Sequence, residues 1–118
     1  MIRVALLGYG LAGRVIHRPL VQAVPELALT HVVTADPVRV AQAREDLPGV
    51  AVVPDAAGLW ARSEEYDVVV VATANDSHLP LATAALELGK TTVVDKPLAV
   101  TASDAAALVD LADRKSVV

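Results

Sequence analysis

The chain has 118 residues, 54% of them hydrophobic but only 3% aromatic, with 20% charged residues and a formal net charge of -4. This length suits one domain with a core of Val, Leu and Ala packed in layers, and is short for a complete two-substrate enzyme. The acidic balance without a Lys/Arg cluster argues against a nucleic-acid surface, and the lack of Cys excludes a disulfide framework, a thiol nucleophile and a Cys-based metal site.

The opening "MIRVALLGYGLAG" carries one Arg and a short apolar run, but the run breaks at Gly8 too early for a signal peptide. No stretch approaches the ~20 apolar residues of a membrane span. A cytoplasmic protein is therefore expected. From here short β-branched or apolar runs alternate with Ala-rich segments, the pattern of a doubly wound α/β fold with a parallel sheet covered by helices on both faces.

The first expected strand, residues 2–7, runs directly into "GYGLAGR", where Gly8, Gly10 and Gly13 have the GxGxxG spacing. In such a turn the first glycine allows the tight bend, the second admits a pyrophosphate close to the backbone, and the third lets the helix pack on the strand. The helix that follows presents free N–H groups and a partial positive charge to the phosphates. A helix is expected from Leu11, interrupted at Pro19, which either kinks it or starts a second turn at its own first position.

A second strand is expected over residues 27–34, with His31 inside it as a structural residue. It leads to "DP", where Asp36 is either the helix N-cap or the acidic residue that reads the adenosine ribose roughly 20 residues past the glycines. If Ala35 takes the ribose-facing position instead, Thr34 and Arg39 are free to receive a 2′-phosphate, which favours NADP over NAD. Next come a strand over 50–53 and a weak helical turn over 56–62. Trp60, Glu64 and Tyr66 are read as packing and solvated surface near the far edge of the sheet.

The run "DVVVVATA" at residues 67–74 is apolar without alternation, so both faces of a strand over 67–72 should be buried at the sheet centre. A helix over 79–88 should stop at Gly89, and a fifth strand over 91–95 ends in Asp95, Lys96 and Pro97. A last helix opens at Thr101 or Ser103. The three His at 17, 31 and 78 lack metal-ligand spacing, and no P-loop or GxSxG elbow is present.

Three segments, "GYGLAGRVIHRPL", "TANDSHLPLATAALELGK" and "VVDKPLA", together resemble the N-terminal Rossmann domain of the Gfo/Idh/MocA oxidoreductases, the glucose-fructose oxidoreductase and inositol dehydrogenase relatives. The resemblance covers essentially the whole chain, residues 1–118 as one NAD(P)-binding domain. It implies that Lys96 faces substrate with Asp95 as its partner, and that Pro97 follows a cis peptide bond. It implies that Gly8, Tyr9, Gly10, Leu11, Ala12 and Gly13 line the pyrophosphate, and that Ala72, Thr73, Asn75 and His78 border the nicotinamide end of an NAD or NADP cofactor. His17 belongs to a segment that in some relatives reaches the same region. Ala74 stands where the family usually has Pro.

The implied activity is hydride transfer between nicotinamide and a hydroxyl-bearing carbon of a sugar or polyol. A non-catalytic nucleotide-sensing module is the alternative, and a Rossmann-like methyltransferase is disfavoured because no acceptor-site motif follows the fourth strand. The family's second α/β domain, with its substrate pocket, His/Asp pair and oligomer interface, is not in this chain, which stops at "RKSVV". The expectation is a fragment of a gene product roughly three times longer that is inactive by itself.

Overall fold

The computed structural model describes residues 1–118. Five parallel strands form one sheet: β1 (Ile2–Leu7), β2 (Leu27–Val33), β3 (Ala51–Val53), β4 (Val68–Val71) and β5 (Thr91–Val94), in the order β3-β2-β1-β4-β5. The expected strands all form. Their expected C-terminal residues lie just past the assigned ends but still join the ladder. Thr34 N donates to Val53 O, Ala72 N to Leu7 O and Asp95 N to Val71 O, at 2.9 to 3.0 Å.

The alternation of side chains along each strand explains the continuous apolar runs. Val4, Leu6, Val32 and Val70 point to one face, where they pack with Tyr9, Ala43 and Leu47. Ala5, Leu7, Val33, Val69 and Val71 point to the other and pack with Leu59, Tyr66 and Ala85. Burying each such Leu or Val contributes about 1.5–3 kcal/mol, so a polar substitution on either face of β4 would damage a core.

The helices are α1 (Arg18–Gln22), α2 (Pro37–Asp46), α3 (Ala56–Trp60), α4 (His78–Glu87) and α5 (Ala102–Lys115). Three carry side-chain caps: Asp36 on α2, Asp55 on α3 and Thr101 on α5. Gly89 follows α4 with a φ of +73°, as its position in the sequence predicts. Helix α5 packs against α4 through Leu108, Leu111, Ala82 and Leu86, and Val118 O accepts from Thr92 N beside β5. No helix is long and apolar enough to cross a membrane.

Two expectations need correction. The segment before Pro19 is not an ordinary α-helix: Leu11–His17 is π-helical, and Arg18 N donates to Gly13 O five residues back. An α-helix would set the proline ring against the carbonyl of Val15, and the wider turn relieves that crowding. Tyr66 does not lie at an edge of the sheet. It lies two residues before the internal strand β4, is fully buried, and donates its hydroxyl to Leu59 O at 2.9 Å. Burial raises its pKa to about 12. His31 is structural as expected, edge-on to Tyr66 with Nε2 3.0 Å from Glu65 Oε1.

Candidate dinucleotide and substrate site

Chain order reverses between β1 and β4, and in open parallel sheets the crevice at the carboxyl ends of such strands holds the ligand. The three segments singled out in the sequence all emerge there: the glycine turn after β1, the Thr73 loop after β4 and the Asp95-Lys96-Pro97 segment after β5.

The glycine turn is as narrow as the spacing implies. Gly8 has a φ of +96°, and a Cβ on it would lie 2.6 Å from Ala72 O. Gly10 is open except for Arg39, whose guanidinium would lie 3.4 Å from a Cβ there. Leu11 is exposed on the turn, while Ala12 is half-buried against the core.

The Tyr9 side chain turns away from the crevice. It is 1% exposed and points into the protein, so only the backbone of Tyr9 can line a pyrophosphate. The hydroxyl donates to Asp46 Oδ2 at 2.7 Å, and Arg14 Nε donates to the same oxygen at 2.8 Å. Burial first, and the Asp46 carboxylate second, push the Tyr9 pKa well above its ordinary value. Hydrogen bonds from Arg14 and then Tyr9 hold Asp46 below its ordinary value. This knot ties the glycine turn to the end of α2. Nothing in the spacing of Tyr9, Arg14 and Asp46 announces it, because it depends on how α2 lies across the sheet.

At the end of β2, Thr34 is half-buried and Ala35 and Asp36 are exposed. The Asp36 carboxylate caps α2, with Oδ1 accepting from Val38 N at 2.8 Å and Arg39 N at 3.2 Å. Of the two readings of Asp36, the cap is thus the one with contacts behind it. Arg39, one turn into α2, extends its guanidinium back over the glycine turn.

In the loop after β4, Ala72 is buried and serves as the wall that Gly8 approaches. Thr73 Oγ1 is hydrogen-bonded to Ser77 Oγ, and Asn75 is exposed. His78 does not reach the cleft through a ring nitrogen. It is 1% exposed, with Nδ1 2.7 Å from Pro97 O and Nε2 3.0 Å from Thr73 O. It therefore joins the two loops that flank the crevice.

The Lys96–Pro97 peptide bond is cis, as the resemblance implies. Lys96 is exposed, and no ion pair or hydrogen bond engages its ammonium. The expected Asp95–Lys96 pairing is accordingly not formed. Asp95 Oδ1 instead faces His17 Nε2 at 3.4 Å. The helix that begins at the glycine turn thus brings a histidine to the end of β5, a distance in sequence that no local spacing could signal.

Comparison with known proteins agrees with this geometry. Residues 2–118 match the family model described as the oxidoreductase family with an NAD-binding Rossmann fold. The chain is 43% identical over 111 residues to the uncharacterized oxidoreductase YdgJ of Escherichia coli, covering 94% of this chain and 31% of that protein. It is 31% identical to the scyllo-inositol 2-dehydrogenase (NADP(+)) IolW of Bacillus subtilis, covering 98% of this chain and 31% of that protein. An oxidoreductase of Agrobacterium radiobacter, solved in complex with NAD+, L-tartaric acid and magnesium, superposes with a TM-score of 0.90 at 26% identity, over 98% of this chain and 33% of that one. The chain thus spans about a third of the length of these relatives. On its sequence, its strand order and its glycine turn, the chain belongs to the Gfo/Idh/MocA oxidoreductase family, of which it is an NAD-binding Rossmann domain.

Proposed function

We propose that this domain is the cofactor-binding part of an oxidoreductase that passes a hydride between a nicotinamide and a hydroxyl-bearing carbon of a sugar or polyol. The observation that carries the reading is the position of Lys96, an unpaired cation at the carboxyl end of β5, on the same rim of the sheet as the glycine turn. The similarity to an inositol dehydrogenase supports the choice of substrate class.

When bound, the nicotinamide supplies the hydride acceptor or donor. The residues of the chain have the remaining tasks. Gly8, Gly10 and Gly13 let the backbone approach the pyrophosphate, and the helix N-terminus after them carries favourable partial charge for it. Ala72 and Thr73 wall the crevice between β1 and β4. As the alcohol carbon gives up a hydride with its electron pair to the nicotinamide, its hydroxyl would release a proton to water. Lys96 stabilises the negative charge that develops on that oxygen.

Two observations favour NADP(H) within this reading. The Asp36 carboxylate is engaged at the α2 cap, and Arg39 places a guanidinium beside the glycine turn, where a 2′-phosphate would find a bidentate donor. Calorimetric titration of the chain with both cofactors tests the binding half of the proposal; no detectable heat with either would overturn it. In the full-length protein, assayed with scyllo-inositol and other polyols, Lys96→Ala should abolish most turnover and leave cofactor affinity largely intact. Unchanged turnover would remove Lys96 from the chemistry, and cofactor binding with no turnover on any polyol or sugar would favour a nucleotide-sensing module.

A further inference from the structure

We propose that His17 is a positioning residue that holds the Asp95 carboxylate away from Lys96, so that the lysine ammonium stays free for a substrate oxygen. The inference rests on the reading of Lys96 given above, but its structural core, the division of Asp95 and Lys96 between two environments, stands independently of it.

Successive side chains along a strand point to opposite sides, but where the chain leaves the sheet the long lysine stem could fold back onto the carboxylate of the preceding residue. Asp95 and Lys96 do not meet in this way. Asp95 Oδ1 lies 3.4 Å from His17 Nε2, and the two side chains are only 34% and 17% exposed. His17 Nε2 is buried and has no hydrogen-bond partner, and Asp95 Oδ1 is the carboxylate oxygen it faces. At 3.4 Å the contact is too long for a well-formed hydrogen bond.

The backbone on both sides of Lys96 is tethered. Before it, Asp95 N donates to Val71 O at 2.9 Å, which continues the β4–β5 ladder. After it, Pro97 O lies 2.7 Å from His78 Nδ1, and the same ring reaches Thr73 O with its other nitrogen. Two histidines from different helical segments thus flank the triplet, His78 on the backbone and His17 on the carboxylate. With the backbone tethered, the remaining freedom lies in which way the Asp95 carboxylate turns. Turned toward Lys96 it would neutralise the cation that the chemistry needs; turned toward His17 it leaves that cation exposed.

Solution NMR of the labelled chain tests the inference directly, by following the His17 ring nitrogens and the Lys96 ε-methylene. Asp95→Asn should move the His17 ring resonances and leave those of Lys96 near their original positions. His17→Ala should move the Lys96 resonances as the carboxylate turns toward them. His17→Gln, whose amide nitrogen reaches as far as Nε2 of the ring and can still donate toward Asp95, should restore them, and so should the double variant His17→Ala with Asp95→Asn. Lys96 resonances that respond to Asp95→Asn while His17 is present, or a His17 ring indifferent to it, would overturn the proposal. These two readings do not require His17→Ala to fold.

In the full-length enzyme with scyllo-inositol as the probe, His17→Ala should lower kcat about tenfold with an unchanged KM for the cofactor. Adding Asp95→Asn should recover most of that loss, a rescue that a purely structural role for His17 would not give. Should Lys96→Ala leave turnover intact, the functional reading fails, while the NMR comparison still decides how Asp95 is held.

Discussion

The α-carbon of Gly13 faces the carbonyl oxygen of Gly8 so closely that a Cβ on Gly13 would lie 2.1 Å from that oxygen. Neither partner is a flexible side chain, so relief would require the strand-to-helix turn to move. Gly8 is as constrained, by its φ of +96° and by Ala72 O. Gly13→Ala and Gly8→Ala should each destabilise the chain by about 2–3 kcal/mol and reduce cofactor binding as well. Gly49 is the control: its φ is +86°, but a Cβ there would have nothing within 4 Å. Gly49→Ala should cost only about 1 kcal/mol, the conformational term alone. Urea denaturation of the three variants checks the ordering, and equal losses at Gly49 and Gly13 would contradict it.

The glycine turn was legible in the sequence because each of its constraints acts within a few residues. Strand, bend and helix follow one another, and glycine is the residue type that a positive φ or a close backbone approach selects. The strands were legible for a similar reason, since β1 and β4 feed two cores and read as unbroken apolar runs. What could not be read were contacts between distant segments. Tyr9 with Asp46, His78 with Pro97, and His17 with Asp95 join residues whose separation in sequence carries no period. Asp95 shows the limit best: the sequence places Lys96 beside it, and the fold brings His17 to its carboxylate.

Acid should weaken the fold partly through Arg3 and Asp67, which link the starts of β1 and β4. Arg3 donates to Asp67 from its backbone N at 2.8 Å, from Nε at 3.2 Å and from a terminal nitrogen at 3.0 Å. The side-chain bonds first, then the backbone bond, lower the Asp67 pKa from its ordinary 3.8 to about 2. A carboxylate whose pKa is lower in the folded state than in the unfolded chain binds fewer protons when folded. Its contribution is therefore complete above the ordinary value and is lost as the pH falls from about 4 toward 2. Asp46 and Glu65, also lowered, act in the same direction. Denaturation midpoints between pH 5 and pH 2.5 should fall for the wild type and fall less for Asp67→Asn. High salt should narrow the difference, because both side chains are exposed.

His78 should matter to stability before it matters to chemistry. Replacing it with Ala leaves a cavity where a nearly fully buried ring stood and frees the carbonyls of Thr73 and Pro97. A loss of about 2–4 kcal/mol is expected, the range for a large-to-small core change with broken hydrogen bonds. Amide exchange should quicken first in the loops after β4 and β5, since those are the segments the ring joins. A thermal midpoint unchanged by His78→Ala would show that the link is not holding the loops.

Arg39 offers the sharpest test of cofactor preference. Its guanidinium lies beside Gly10, on the rim where the glycine turn opens. If it receives the 2′-phosphate, Arg39→Ala should weaken NADP(H) binding by about 1.5–3 kcal/mol, or roughly 10- to 100-fold. Binding of NAD(H), which has no phosphate there, should change little. Arg39→Glu goes further, because the new carboxylate repels the phosphate and can accept from a ribose hydroxyl. Parallel titrations of the two cofactors against both variants would separate these effects. Equal losses for NAD and NADP would mean that Arg39 supports the turn or the adenine instead of reading the phosphate, and the preference would then have to come from Thr34 or the cap at Asp36.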